Sequence, residues 1–118
     1  MPGESDLTDD QGGNDEFRVE PRGIEDGVAT VAVSGEVDVA TAPLLRAGLH
    51  SVVDEGAGRL RIDLTEVTFI DSAGLGVLIG ILKRLRENGG TVELAQLQPG
   101  PRKVVEITGL DELFVIVD

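Results

Sequence analysis

The sequence predicts an α/β fold: a mixed, largely parallel central sheet of about five strands with helices packed on it. Three observations lead there. Short β-branched or alternating runs are interleaved with helix-spaced apolar runs, in the order β, β, α, β, α, β, α, β. That alternation favours a parallel sheet joined by right-handed crossovers. The segment Arg59–Leu64 puts Leu60, Ile62 and Leu64 on one face and Arg59, Arg61 and Asp63 on the other, the pattern of a half-buried strand. Finally, hydrophobic residues make up 41% of the chain but aromatics only 3%, so the core is aliphatic.

Taken in order, residues 1 to about 15 are Gly, Asp, Glu, Ser and Gln with little apolar content, which predicts a disordered acidic tail before a domain spanning residues 16–118. Phe17–Glu20 alternates and reads as a short strand. Residues 21–27, with Pro21, Gly23 and Gly27, read as a loop. Val28–Gly35 is β-branched and bounded by glycine, hence a strand. A helix is predicted from about Ala42 to Val53. Thr41 is placed to cap it, Pro43 sits in its first turn, and Leu45, Leu49, Val52 and Val53 recur at helical spacing. After the strand at residues 59–64, a second helix runs from about Ser72 to Glu87, with basic residues near its C-terminal end and Asn88–Gly90 as terminator. Thr91–Leu97 is the fourth of the sheet's main strands, residues 101–108 form a short helix, and residues 113–118 close as a strand.

Composition narrows the function classes. The net charge is -12, and Glu4, Asp6, Asp9, Asp10, Asp15 and Glu16 crowd the first 16 residues. An acidic surface repels phosphate backbones and anionic lipid, so no nucleic acid and no membrane partner is expected. A protein with a basic face is the better partner. There is no Cys, which removes disulfides and thiolate chemistry. The N-terminus lacks the basic and apolar regions of a signal peptide, and no apolar run approaches the roughly 18 residues of a spanning helix. A cytoplasmic protein is expected.

The chemistry concentrates in two polar turns, Asp38 with Thr41 and Asp71 with Ser72, both at C-terminal strand ends where sites gather in such sheets. Ser72 has three readings: a helix cap, a nucleophile or a modified residue. As a cap it would accept orphan backbone N–H bonds. As a nucleophile it lacks the Gly-x-Ser-x-Gly context, and the single histidine, His50, falls at the far end of the first helix as a surface residue. One His and no Cys make a poor metal site, so no cofactor, no metal and no catalytic residue is expected. As a modified residue, Ser72 at a helix N-terminus would gain about -1.5 to -2 charge on phosphorylation, which the helix end would stabilise and Asp38 and Asp71 would oppose. Gly74, Gly76 and Gly80 lower helix propensity, which suggests close packing on the sheet or a partner docking near the helix start.

Four segments carry a resemblance: Ser34–Pro43 (SGEVDVATAP), Leu60–Gly80 (LRIDLTEVTFIDSAGLGVLIG), the Gly-Gly pair before Thr91, and Ile107–Ile116 (ITGLDELFVI). With these, the chain resembles the STAS-domain anti-anti-sigma factors, the antagonists of bacterial anti-sigma kinases. The resemblance implies that Ser72 is the phosphoacceptor and that Asp38, Thr41, Asp71, Ser72, Ala73, Gly74 and Leu75 form the partner-binding site. It implies an anti-sigma factor with Ser/Thr kinase activity, using ATP and Mg²⁺, as partner, and a PP2C-type phosphatase that resets the switch. The protein itself would be a binder and substrate, not an enzyme. Two features depart from the pattern. Residue 73 is Ala where many relatives have Ser or Thr, leaving Ser72 as the sole hydroxyl of that turn. The sequence also ends at Asp118, where relatives continue into a covering helix. The alternative is a STAS scaffold or sensory-assembly subunit in which Ser72 only caps a helix.

Overall fold

The chain enters its sheet through a hairpin. In the computed structural model, which describes residues 17–118, β1 (Arg18–Glu25) and β2 (Val28–Val37) run antiparallel. Asp26 and Gly27 join them with φ of 55° and 79°. Two central residues at positive φ make a type I′ turn, whose twist matches that of the strands. The loop expected over residues 21–27 is thereby corrected: β1 runs on to Glu25, with a shift of register between Pro21 and Ile24. Pro21 is tolerated because β1 is an edge strand among the described residues. The acidic tail expected at residues 1–15 lies outside the described residues.

Three parallel crossovers follow. They are α1 (Ala42–Asp54) to β3 (Arg59–Ile70), α2 (Ser72–Arg86) to β4 (Thr91–Ala95), and α3 (Pro99–Ile107) with a 3₁₀ turn (Leu110–Glu112) to β5 (Val115–Val117). The sheet order is β1-β2-β3-β4-β5, and only the β1–β2 pair is antiparallel. This is the mixed, largely parallel sheet the sequence predicts. β3 is longer than the expected segment because β2 keeps pairing with it as far as Val37 and Ile70, across two shifts of register. α3 starts earlier than expected, with Pro99 in its first turn, and β4 stops at Ala95 before Gln96, whose φ is 62°.

One face of the sheet and the inner sides of the helices share an aliphatic core. Val31, Val33, Leu60, Ile62 and Leu94 from the strands meet Leu45 and Leu49 of α1 and Leu78 and Ile81 of α2 there. Burying each such side chain contributes about 1.5–3 kcal/mol. On the other face, Arg61 and Glu93 pair at 2.7 Å. Aromatic residues add little beyond the buried Phe114.

The three glycines of α2 divide. A Cβ at Gly74 would lie 2.4 Å from Val37 Cγ1 and 2.8 Å from Ile70 Cγ1, so this glycine lets the first turn of α2 sit on the ends of β2 and β3. Gly76 and Gly80 face open space. Packing therefore explains only the first. Opposite signs are expected in urea unfolding: Gly80→Ala should stabilise by about 0.5–1 kcal/mol, whereas Gly74→Ala should destabilise by about 1–3 kcal/mol through overpacking. Two shifts of the same sign would contradict this division.

Candidate functional site

The parallel pairing of β2 and β3 ends on Val37 opposite Ile70. The next residues are Asp38 and Asp71, so the two polar turns leave the sheet side by side. A backbone bond joins them: Asp71 N–H donates to Val37 C=O at 3.1 Å. The sheet register thus brings together what the sequence keeps more than thirty residues apart.

The first turn is closed by its own side chains. Asp38 Oδ1 accepts from the backbone N–H of Ala40 (3.0 Å) and Thr41 (3.1 Å). Thr41 Oγ1 accepts from Asp38 N–H at 2.9 Å and donates to Glu36 C=O at 2.8 Å. Thr41 is buried, and its side chain makes no capping bond to α1. The expected Thr41 cap is thus corrected: the hydroxyl faces back to the end of β2, because Pro43 removes one N–H that a cap would serve. Thr41 sets the shape of the turn and offers a partner little surface.

In the second turn the cap is Asp71, not Ser72. Asp71 Oδ1 accepts from Ala73 N–H at 2.9 Å and Gly74 N–H at 3.3 Å, with extended backbone geometry. Ser72 is the first helical residue, exposed, and its hydroxyl makes no hydrogen bond among the described residues. The reading of Ser72 as a cap therefore fails on geometry. Of the other site candidates, Asp38, Asp71 and Ala73 are half-buried, while Gly74 and Leu75 face inward. Of the seven candidates, only Ser72 is fully exposed.

Sequence reasoning missed several neighbours of these turns. An open groove of about 420 Å³ lies between Ala42, Arg46 and Ala47 of α1 and Ala73 and Val77 of α2, with Val39 also lining it. Val39 is 75% exposed, Leu44 59% and Phe69 47%, all at the end of the sheet that carries the turns. Large apolar side chains held in water beside a polar turn are what a docking surface offers. Leu44 could have been found from its place beside, rather than on, the buried Leu45–Leu49–Val52 stripe of α1.

His50 is half-buried rather than a surface residue. Its Nδ1 accepts from Arg84 Nη1 at 2.9 Å, and Arg84 also reaches Asp54, tying α1 to α2. Arg84 is twelve residues along α2 from Ser72, or about 18 Å of helix, so no Ser–His pair forms. Among the described residues no group of three or more His, Asp or Glu is placed to hold a metal, and no helix is long and apolar enough to cross a membrane.

The cap assignment has a direct test. Asp71→Ala should cost about 1 kcal/mol in thermal or urea unfolding, and Ser72→Ala less than about 0.5 kcal/mol. Equal costs would return the capping role to Ser72.

The comparisons with known proteins converge. The family model described as STAS domain matches residues 22–118. The anti-sigma-B factor antagonist of Bacillus subtilis is 40% identical over 86 residues, which is 73% of this chain and 78% of that protein. The crystal structure of an anti-sigma factor antagonist from Mycobacterium paratuberculosis superposes with a TM-score of 0.76 at 34% identity, covering 91% of this chain and 90% of that one. SpoIIAA, an anti-sigma factor antagonist solved in its unphosphorylated form, shares the fold with a TM-score of 0.70 at 24% identity, covering 86% and 88%. With an exposed serine at the start of α2, a STAS domain matched over residues 22–118 and a relative 40% identical over 73% of the chain, the chain belongs to the STAS-domain anti-sigma factor antagonist family.

Proposed function

We propose that this protein is a partner-switching regulator, an antagonist that binds an anti-sigma factor with Ser/Thr kinase activity and is switched off when that partner phosphorylates Ser72. The observation that carries the reading is the division of work at the start of α2. Asp71 holds the helix end, and Ser72 stands exposed, its hydroxyl without a hydrogen bond among the described residues. A serine committed to capping could not be modified without loosening the helix. This one can.

In the transfer, Ser72 Oγ attacks the γ-phosphorus of ATP bound to the kinase. The bond from that phosphorus to the departing ADP oxygen breaks, and the hydroxyl proton passes to a base of the kinase. The protein supplies the nucleophile and the docking surface. Its own groups carry none of the catalysis. Ala73 leaves no competing hydroxyl in the turn. Exposed Val39 and Leu44 and the groove beside Ala73 supply apolar area for the unphosphorylated complex.

Phosphorylation adds about -1.5 to -2 charge beside the carboxylates of Asp38 and Asp71. A dianion at the centre of an apolar contact loses its water on docking, at a cost of several kcal/mol when it is unpaired. The complex is lost while the fold persists. A phosphatase of PP2C type, hydrolysing the phosphoserine, returns the binding state. The cytoplasm, where sigma factors and ATP are found, is the proposed location.

The test uses the anti-sigma kinases of the source organism. Incubation of the protein with each kinase and ATP should add one phosphate by intact mass, and none in Ser72→Ala. Ser72→Ala should still bind the kinase in calorimetry, while the phosphorylated protein binds at least tenfold more weakly. Absence of phosphate with every such kinase would defeat the switch and leave a scaffold role. Equal binding of both forms would defeat the electrostatic account.

A further inference from the structure

The cap that frees Ser72 also limits what the helix can do for a phosphate. A phosphoserine at a helix start would ordinarily draw on the orphan N–H groups there. Here Asp71 Oδ1 already takes those of Ala73 and Gly74. Asp71 and Asp38 also stand at the two adjacent turns, so the nearest fixed charges are negative. Beyond solvent, compensating charge can come from a basic side chain that reaches across.

Arg46 is placed to do so. It lies one turn into α1, on the same side as Ala42, and lines the groove opposite Ala73 and Val77. It is exposed and has no hydrogen bond or ion pair among the described residues. Helical side chains lean toward the N-terminus of their helix, which carries the Arg46 guanidinium toward the level at which both helices begin. Ser72 does not line the groove itself but directly precedes Ala73, which does, and packed helix axes lie about 8–10 Å apart, a span within the combined reach of an arginine and a phosphoserine. Guanidinium and phosphate then match in a two-point pair.

We infer that Arg46 is the intramolecular counter-cation of phosphorylated Ser72, drawn from the α1–α2 groove onto the phosphate. The inference rests on the reading of Ser72 as the phosphoacceptor. Its consequence is that phosphorylation both adds charge and rebuilds the groove: the guanidinium leaves its place along the wall and bridges the two helix starts, across the surface a partner would use. Arg46 acts through the phosphate and touches no reacting atom, so it is a positioning residue.

The full chain with phosphoserine encoded at position 72 tests this without any kinase. A nearby cation favours the dianion and lowers the second phosphate pKa, so its removal raises that value. In ³¹P NMR titration, Arg46→Gln should raise the midpoint by about half a unit, and Arg46→Lys should restore part of the shift. Arg59→Gln makes the same charge change at the start of β3, the opposite end of the strand from Ser72, and should leave the midpoint unchanged. An unmoved midpoint in Arg46→Gln, or an equal shift in Arg59→Gln, would overturn the pairing. Because the phosphate is encoded, failure of every kinase to modify Ser72 would defeat the proposed function and leave this measurement standing.

Discussion

The Asp71 N–H to Val37 C=O bond is the constraint on which the site depends. It is the first bond beyond the parallel pairing of β2 and β3, and it locks two strand ends at one level. Everything at the site follows from that level. Asp38 and Asp71 emerge as neighbours, α1 and α2 start side by side, and Gly74 has to be a glycine because its helix turn rests on Val37 and Ile70 themselves. A shift of register would turn the alternating faces of β3 over, moving Ile62 and Leu64 out of the core. The buried aliphatic face therefore holds the polar site in place, although none of its residues belongs to the site.

The two turns solve the same problem in different ways. Each must satisfy backbone N–H groups exposed where strand becomes helix. In the first, Thr41 turns inward to the end of β2 and Asp38 closes the loop on itself. In the second, Asp71 takes the helix N–H groups directly. In the first arrangement the hydroxyl is buried and bonded. The second leaves the next residue free. That asymmetry is why, of the two hydroxyls the turns contain, Thr41 is structural and Ser72 is available.

The sequence made the layer order legible because the periodicities are clean. Leu60, Ile62 and Leu64 alternate, while Leu45, Leu49 and Val52 follow the helix. It was misleading where pairing partners, not local pattern, decide. Residues 21–25 read as loop because Pro and Gly punctuate them, yet β2 holds them as an edge strand. The Asp26–Gly27 pair was in fact a hairpin signal. At the site, the residue types identified both turns, but not which oxygen does what. Asp and Ser are both good caps, and Thr is too, so propensity could not separate Asp71 from Ser72 or predict that Thr41 turns away from α1. Those choices depend on backbone dihedrals, such as the extended geometry at Asp71, and on Pro43. The exposed Val39 and Phe69 were invisible for another reason: exposure is a property of packing, and an apolar residue in a sequence reads as core until the core is full.

Separating the cap from the switch has an energetic consequence. A cap contributes about 1 kcal/mol, a sizeable part of the 5–15 kcal/mol by which a domain is stable. If one residue did both jobs, modification would spend that stability, and the two states of the proposed switch would differ in fold as well as in surface. With Asp71 holding the helix, the added charge changes the surface at the helix start and leaves the cap in place. Two unit charges about 6 Å apart interact by about 0.7 kcal/mol in water and about 2.8 kcal/mol at an effective dielectric constant of 20. The phosphate is therefore tolerated while Ser72 faces solvent, and it becomes costly only when a partner excludes water from it. Each 1.4 kcal/mol of that cost weakens the complex tenfold. In the proposed switch, the same modification that the free domain absorbs at little expense is enough to release a bound partner, which is the property a reversible antagonist needs.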